Sequence, residues 1–388
     1  MRLYLLEPDW PGPAWAPFAG IRPIAELRAG AWLIRERWEA AVGTAASGII
    51  GSYVAGFCDV DSPPVVDPGS IVGPAVVVRS TFVPPRVALL FSEGVVRMTH
   101  DGTTVAWLLA DGERWREPHD EGNGHEVEGL PLRGAFDLVT ALERLLASDC
   151  LEFTAAPADP IPAGSIVLGD PALVVCLDAR VEPGVVFDTR RGAVVLTEGV
   201  DVRSGTRLEG PLFVGPGTVL LGGQLRRSAF GPHCRVHGEV SDTTLIGYAN
   251  KSHDGFLGHS VLGHWVNLGA GTITSNLKNT YGEIRLELPG GRIETGRMNL
   301  GSLIADHAKT AIGTLLPTGA VIGAGANLFG ATAVPKRVPP FAWGSEGPDR
   351  LDLEGFVRIT ARVMPRRGVA LTPERERWLR ALYARATG

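Results

Sequence analysis

The chain has 388 residues, of which 45% are hydrophobic and 20% are charged, and its formal net charge is −5. This length allows two domains with separate cores, and this charge favours neither nucleic acid nor an anionic membrane as a partner. Glu7 and Asp9 interrupt the first apolar stretch, and no run of 18 apolar residues follows. Together with four scattered cysteines that form no CxxC pair, these features predict a cytoplasmic protein without a membrane span.

The pattern of residues 1–155 predicts a mixed α/β domain. The predicted elements, in chain order, are a strand over 2–7, a Pro-rich loop over 8–17, a helix of about 12–15 residues with Leu27, Ala31, Ile34 and Trp38 on one face, strands near 86–91, 94–100 and 104–110, and a helix over 136–147. The three consecutive strands are joined at 92–94 and 100–102 by short polar and glycine-containing turns, which are typical of hairpins. A Pro- and Ala-rich linker over 155–164 closes this part.

A six-residue repeat governs the second half of the chain. Aliphatic residues recur at Leu196, Val202, Leu208, Val214 and Leu220, then at Leu262 and Leu268, and again at Ile322, Leu328 and Val334. Neither the helical period of 3.6 nor the strand period of 2 produces this spacing. The repeat predicts a parallel β-solenoid over 156–345, in which three hexapeptides close one triangular coil.

Two segments depart from the repeat. Residues 283–299 alternate by twos around Pro289-Gly290-Gly291, which predicts a hairpin that projects from the coil. The tail over 346–388 contains one predicted amphipathic helix from Thr372, which we expect to cap the open end of the solenoid or to contact a neighbouring subunit.

The densest polar run, residues 250–276, contains the candidate catalytic groups. His253 and Asn276 are 23 residues apart, and because one coil holds about 18 residues we expect both to lie near one groove on adjacent coils. A neutral histidine is suited to remove a proton from an amine, and an amide can orient an acyl donor or hold an oxyanion. Gly269, Ala270 and Gly271 leave a wall where a thin donor can approach the backbone.

Histidines elsewhere in the solenoid offer an alternative. His233, His237, His259 and His264 have the residue type for a zinc site shared between subunits, as in the γ-class carbonic anhydrases. His259 and His264 follow Gly258 and Gly263, where corners turn outward, so we interpret them as solvated corner residues instead.

At this point the sequence resembles a known family. The run from 253 to 276, HDGFLGHSVLGHWVNLGAGTITSN, resembles the acetyltransferase half of the bifunctional N-acetylglucosamine-1-phosphate uridylyltransferase/glucosamine-1-phosphate N-acetyltransferase. The whole chain is similar to a divergent bacterial branch of that family, usually called sugar nucleotidyltransferases, through RPIAELR (22–28), NKSHDGFLG (250–258) and NLKNTYGE (276–283). The resemblance implies a nucleotidyltransferase-like α/β domain followed by a left-handed parallel β-helix that forms a homotrimer with sites between subunits.

The resemblance also implies roles for individual residues. His253 would be the general base, Asn276 would contact the acetyl donor, and Asn267 would help to seat the sugar phosphate. The remaining expected contacts are Lys251 and Lys278 for the substrate, and Gly269, Ala270, Gly271, Gly323 and Ala324 for acetyl-CoA. Phe256 replaces a tyrosine of the better-known enzymes, so a hydroxyl contact there is lost.

The N-terminal half departs further from the family. The Gly-rich loop and the phosphate-binding lysine of uridylyltransferases are missing, since no lysine precedes Lys251. Arg22 and Arg28 are the candidates for nucleotide phosphates, and Asp59 and Asp61 are the candidates for Mg²⁺ if nucleotidyl transfer occurs.

These observations support three hypotheses. The first is acetyl-CoA-dependent N-acetylation of glucosamine-1-phosphate within the synthesis of UDP-N-acetylglucosamine, with or without nucleotidyl transfer. The second is a sugar-1-phosphate nucleotidyltransferase using UTP or dTTP, whose β-helix is structural. The third is a regulatory subunit without catalysis. The sequence specifies neither the sugar nor the nucleotide.

Overall fold

The computed structural model of the protein describes residues 1–89, 94–155, 157–288, 290–345 and 347–387. Within them, the first part of the chain forms a mixed α/β domain. Its elements are β1 (Arg2–Leu6), β2 (Arg28–Ala29), β3 (Trp32–Leu33), α1 (Ile34–Val42), β4 (Ala46–Ile50), β5 (Ala75–Arg79), β6 (Phe82–Val83), β7 (Arg97–His100), β8 (Thr103–Leu109), β9 (Gly124–Glu126), β10 (Leu130–Pro131) and α2 (Asp137–Glu152). The main sheet has the order β4-β1-β5-β8-β7-β9, and β1 is parallel to both of its neighbours.

The prediction for this domain is correct in part. The first strand, the β7–β8 hairpin and α2 are confirmed, although α2 extends to Glu152. The first helix is shorter than predicted because Leu27 and Ala31 lie in the segment before it, packed in the core without helical structure. The strand near 86–91 is wrong over 86–89, and its last two residues lie outside the described part of the chain. The parallel strands β4 and β5 were missed.

The second part forms three parallel sheets, which we call faces 1, 2 and 3. Face 1 contains Ile166–Leu168, Val186–Asp188, Thr206–Glu209, Gly223–Arg226, Glu239–Ser241 and Phe256–Gly258, and the pair Ile273–Thr274 and Leu315–Leu316 lies above the last of these. Face 2 contains Val174–Cys176, Val194–Leu196, Leu212–Val214, Ala229–Phe230, Thr244–Leu245, Val261–Leu262, Ser302–Ile304, Ala320–Ile322 and Arg337–Val338. Face 3 contains Arg180–Val181, Asp201–Val202, Val219–Leu220, Arg235–Val236, Asn250–Lys251, Asn267–Leu268, Lys309–Thr310 and Asn327–Leu328.

The predicted parallel β-solenoid is therefore confirmed, with about 10 turns. Every aliphatic residue of the six-residue repeat is buried and belongs to one continuous core inside the coil. The repeat produces this core because each inward side chain stacks on the equivalent residue of the next coil, one strand spacing away. The left-handed sense of the coil stays a prediction.

The insertion over 283–299 is a hairpin, as predicted, with strands Arg285–Leu288 and Gly291–Glu294. It does not project away from the protein. Leu286 and Ile284 are fully buried, and Arg297 hydrogen-bonds Thr140 of α2 and pairs with Glu143 of the same helix. The hairpin therefore ties the solenoid to the N-terminal domain.

The tail contains two helices rather than the predicted one, α3 (Leu353–Val363) and α4 (Pro373–Thr387). Trp378 of α4 packs edge-on against Phe57 of the N-terminal domain, and Tyr383 packs against Phe341 at the end of the solenoid. The capping role expected for this helix is thus combined with a contact to the first domain. Along the described ranges, no helix combines the length and the hydropathy needed to cross a bilayer.

Candidate functional site

The solenoid has three kinds of corner, and several sequence-predicted residues lie at them. Corner 1–2 joins face 1 to face 2 and contains His259 and Asn276. Corner 2–3 contains Trp265 and Gly323, and corner 3–1 contains His253 and Gly271. His253 and Asn276 therefore lie at different corners of one chain, not in one groove on adjacent coils as expected.

His253 lies exposed at corner 3–1, and its imidazole forms no hydrogen bond with the described residues. On the next coil, the backbone N–H of Gly271 donates to the carbonyl of Asp254 at 3.1 Å, and Gly313 makes the same contact with Ala270 one coil further. Gly271 has a φ of +69°, a conformation that glycine adopts without strain. Gly269, Ala270 and Gly271 therefore border His253 on the next coil, and Ile312 takes the equivalent place on the coil beyond. Binding of a thin acyl donor along these residues stays a prediction.

Lys251 occupies an inward position of face 3, in register with Val236, and is 1% exposed. Its ammonium donates to the carbonyl of His237 at 3.1 Å and also to the carbonyl of His253. Burial lowers the pKa of Lys251 to about 8. This placement differs from the predicted contact with a substrate phosphate: the ammonium braces the backbone of corner 3–1 from inside.

Asn276 ends a column of polar side chains at corner 1–2. Its Nδ2 lies 2.8 Å from Nδ1 of His259, whose Nε2 lies 3.7 Å from Asp242, and Asp242 accepts two hydrogen bonds of 2.7 Å from Arg227. Burial lowers the pKa of His259, partly offset by Asp242, so the imidazole is neutral near pH 7. The interpretation of His259 as a solvated corner residue is wrong, because its side chain is 14% exposed and held on both sides.

The residues expected to contact acetyl-CoA divide between two corners. Gly269, Ala270 and Gly271 lie at corner 3–1, next to His253, whereas Gly323 and Ala324 lie at corner 2–3. A Cβ atom on Gly323 would lie 2.3 Å from the backbone of Pro340, and Ala324 is 1% exposed. Of the five residues, one chain therefore brings Gly269, Ala270 and Gly271 next to His253, and Gly323 and Ala324 lie elsewhere.

Asn267 and Lys278, the other expected substrate contacts, are also apart. Asn267 lies on the outer side of face 3, where its Oδ1 accepts from Nδ2 of Asn250 at 2.6 Å. Lys278 lies in the connection that leads into the hairpin, and its ammonium donates to the carbonyl of Glu283. Within one chain, Asn267 lies on face 3, which leads into corner 3–1, whereas Lys278 lies at corner 1–2.

Arg22 does not lie on a phosphate-binding surface. Its guanidinium is 2% exposed and donates to Asp306 of the solenoid at 2.8 Å and 3.1 Å, while it also pairs with Asp59. His264 completes the cluster, with Nδ1 2.8 Å from Asp59 and its backbone N–H 3.0 Å from Asp306. We call these four residues the interdomain clamp, because they join the N-terminal domain to corner 2–3.

The predicted Mg²⁺ ligands are not arranged to hold a metal ion. Burial alone raises the pKa of Asp59, but Arg22 and His264 more than offset burial and hold the pKa well below its usual range. Asp61 is exposed. No group of three or more His, Cys, Asp or Glu side chains suited to a metal occurs in the described ranges. Of the histidines named for the zinc alternative, His264 is engaged in the clamp and His233 stacks on Tyr248.

Arg28, the other nucleotide candidate, is 5% exposed and donates to the carbonyl of Ala31. Open α/β sheets bind ligands at the carboxyl ends of their strands, and at that end of β1 lies Glu7, which is 3% exposed. That carboxylate accepts the backbone N–H groups of Ile24 and Ala25 at 2.8 Å and 3.0 Å, and also the hydroxyl of Tyr53. The backbone N–H groups of Ile24 and Ala25 are thus already bonded within the chain.

Sequence reasoning missed the clamp and the Asn276–His259–Asp242 column. A signal for the second existed, because His259 and Asn276 are 17 residues apart, which matches the Asn250–Asn267 register of one coil. No local pattern links Arg22 with Asp306, which lie 284 residues apart.

Comparison with known proteins places the N-terminal domain. Residues 13–155 match the family model described as sugar nucleotidyl transferase, and this match ends just after α2. The chain is 31% identical over 160 residues to a bifunctional sugar-1-phosphate nucleotidylyltransferase/acetyltransferase of Sulfurisphaera tokodaii. The alignment covers 38% of this chain and 38% of that relative, so it spans well under half of either protein. The chain thus combines a domain of the sugar nucleotidyltransferase type with a parallel β-solenoid.

Proposed function

We propose that the solenoid transfers an acetyl group from acetyl-CoA to the amine of a glucosamine-1-phosphate-like acceptor, in the synthesis of a nucleotide sugar of the UDP-N-acetylglucosamine type. His253 removes a proton from the attacking amine. The new C–N bond forms as the thioester C–S bond breaks, and the proton passes to the departing CoA thiolate. The observation that carries this proposal is the exposed imidazole of His253 beside Gly269, Ala270 and Gly271 of the next coil.

The surroundings of the three corners support the choice of His253. Corner 2–3 is covered by the clamp and α3, and corner 1–2 contains the base of the hairpin that packs on α2. Corner 3–1 is open around His253, which is exposed, and Ile312 there is 80% exposed. A reacting group needs such access, because substrate must reach it.

We further propose that the active assembly is a homotrimer. Ile273 and Leu315 are in register on face 1, each is 43% exposed, and Phe256 lies on the coil below. This apolar row adjoins corner 3–1 and is suited to contact another subunit. A subunit placed there would bring its own corner 1–2 or hairpin to His253, which would reunite groups that are separated in one chain.

The test is acetyl-CoA-dependent N-acetylation by the purified protein, followed by release of the CoA thiol. His253→Ala should lower turnover by about 10²-fold or more, since general-base catalysis contributes on that scale. His119→Ala, an exposed histidine of the first domain, is the matched control and should retain activity. Unchanged turnover in His253→Ala would remove this residue from the mechanism.

The second candidate function, transfer of a nucleotidyl group from UTP or dTTP to a sugar-1-phosphate, is favoured by the family match over 13–155. The engagement of Arg22, Asp59 and Glu7 in internal contacts argues against it, and we derive no Mg²⁺-dependent step from these residues. Nucleotidyl transfer predicts that the protein releases pyrophosphate in the presence of Mg²⁺ and that His253→Ala retains this activity. If neither activity nor binding of acetyl-CoA or nucleotide is detected, the regulatory hypothesis is the one that survives.

A further inference from the structure

The C-terminal segment forms a pocket with the outer side of face 3. The turn Met364–Arg367 follows α3 and faces the coils that contain Asn250, Asn267 and Lys309. The pocket encloses about 710 Å³, part of it open to solvent. Its lining includes the side chains of Trp265, Lys309, Arg366 and Arg367.

Three of these side chains are cations, and a fourth cation, Arg235, lies close enough to affect Arg367. Lys309 donates to the carbonyl of His307 at 3.1 Å, and Arg367 donates to the carbonyl of Arg366 at 3.4 Å. Arg235 likewise donates to backbone carbonyls, at 3.1 Å and 3.2 Å. Over the ranges that the structure describes, none of the four pairs with a carboxylate.

This lack of carboxylates contrasts with the ion pairs that many other arginines of the molecule form. Arg227 forms a two-point pair with Asp242, and Arg22 lies between two aspartates. Beside Arg367, by contrast, are two more arginines, and its Nε is buried without a partner. A buried donor on a charged group that lacks an acceptor is costly, so its retention calls for an acceptor from outside the chain.

The electrostatics agree with the geometry. Burial lowers the pKa of Lys309 to about 8, and burial together with Arg235 and Arg366 lowers the pKa of Arg367. Like charges and desolvation both disfavour the charged forms of these groups. An anion among them would favour the charged forms through its opposite charge, and guanidinium groups bind phosphate oxygens with two parallel hydrogen bonds.

We propose that this pocket binds the phosphate group of an organic phosphate, with Lys309, Arg366 and Arg367 as its ligands. Trp265 borders the pocket, but its indole is 3% exposed and its ring stacks on Tyr248 and His307, so the binding is assigned to the three cations. Two sources fit this chemistry: a sugar phosphate and the phosphorylated adenosine end of a coenzyme. The proposal does not require acetyl transfer, because the pocket lies toward corner 2–3 and does not include His253.

The test is calorimetric titration of the full chain with inorganic phosphate, then with glucose-1-phosphate and with adenosine 3′,5′-bisphosphate. The double variant Arg366→Gln/Arg367→Gln should weaken binding of each at least tenfold and flatten its dependence on salt. Neither arginine forms an ion pair with the described residues, so the variant should fold, which thermal unfolding checks. Arg358→Gln, an exposed arginine of α3 that lies outside the pocket lining, is the matched control and should bind as the native chain does.

The relative affinities of the two organic phosphates identify the source. Unchanged binding in the double variant would overturn the proposal. So would the absence of binding by the native chain at roughly 10 mM ligand, because a Kd above that concentration is too weak for a specific site. His253→Ala separates this proposal from the proposed acetylation, because that variant should lose turnover and still bind phosphate normally.

Discussion

Replacement of Arg22 by alanine tests how strongly the two domains are joined. The guanidinium is 2% exposed, and its partners Asp59 and Asp306 have side chains that are 11% and 8% exposed. Removal of one partner from a buried ion pair costs about 3–5 kcal/mol, because a charge is left buried without compensation. Here two carboxylates lose a shared cation. His264 and backbone N–H groups remain beside them, so we expect a loss of about 3–5 kcal/mol and not twice that amount.

The assay is urea unfolding at pH 7 followed by tryptophan fluorescence and circular dichroism. The matched control is Arg133→Ala, whose side chain is 69% exposed and pairs with Asp137 at 2.7 Å, and which should cost about 1 kcal/mol or less. A loss below about 1 kcal/mol for Arg22→Ala would refute the reasoning, since an interface that tolerates it does not depend on the clamp.

The dependence on pH gives a second check on the clamp. The pKa of Asp59 is depressed in the folded protein, so its stabilising contribution is present above the unfolded value of about 3.9 and is lost as pH falls through the folded pKa. The difference between the native protein and Arg22→Ala should therefore be largest near neutral pH and should shrink below about pH 4. A difference that grows as pH falls would contradict the assigned charge state.

Three further expectations concern single residues. Gly269→Ala would place a Cβ 2.5 Å from a backbone carbon of the next coil and should destabilise the protein by about 1–3 kcal/mol in urea unfolding, whereas Gly282→Ala meets nothing closer than 3.8 Å and should be near neutral. If Gly269→Ala unfolds like the native chain, the coils are less closely stacked than described. The pKa of Lys251 is lowered to about 8 in the folded protein, so the free energy of unfolding should rise with pH between about 8 and 10.5. Lys251→Met should reduce this slope and leave the part that Lys309 contributes. An unaltered slope would mean that the Lys251 ammonium is solvated. Trp378→Ala removes a side chain that is 5% exposed and should cost about 3–5 kcal/mol by thermal unfolding; a smaller loss than that of an exposed-site control would show that α4 is not anchored there.

The solenoid was predictable because its determinants are local. Each inward aliphatic residue, such as Leu208 or Val214, contacts the equivalent residue of the neighbouring coil, so a repeat of six is sufficient to define the core. The hairpin and α2 were predictable for the same reason, since alternation and helical periodicity lie within one short segment. The N-terminal sheet was harder, because β4 and β5 pair with β1 across long stretches of irregular chain.

The candidate site shows where local reasoning stops. His253 and Asn276 are 23 residues apart, but the register of Asn250 with Asn267 gives a coil of 17, so the pair is separated by one coil and a further hexapeptide. That extra hexapeptide moves Asn276 to the next corner. A miscount of one hexapeptide therefore assigns a residue to the wrong corner. The predicted buried positions do not change, because all three faces have the same six-residue period of inward side chains.

The sequence alone thus determined that the chain winds into a coil, which residues line its interior and where polar groups leave it. The tertiary structure alone decided which polar groups meet. Arg22 finds Asp306 across 284 residues, and Lys251 turns inward to backbone carbonyls where a phosphate contact was expected. The physical reason is that burial of apolar side chains is additive and local along the coil, whereas the pairing of charges depends on distances between segments that no periodicity encodes.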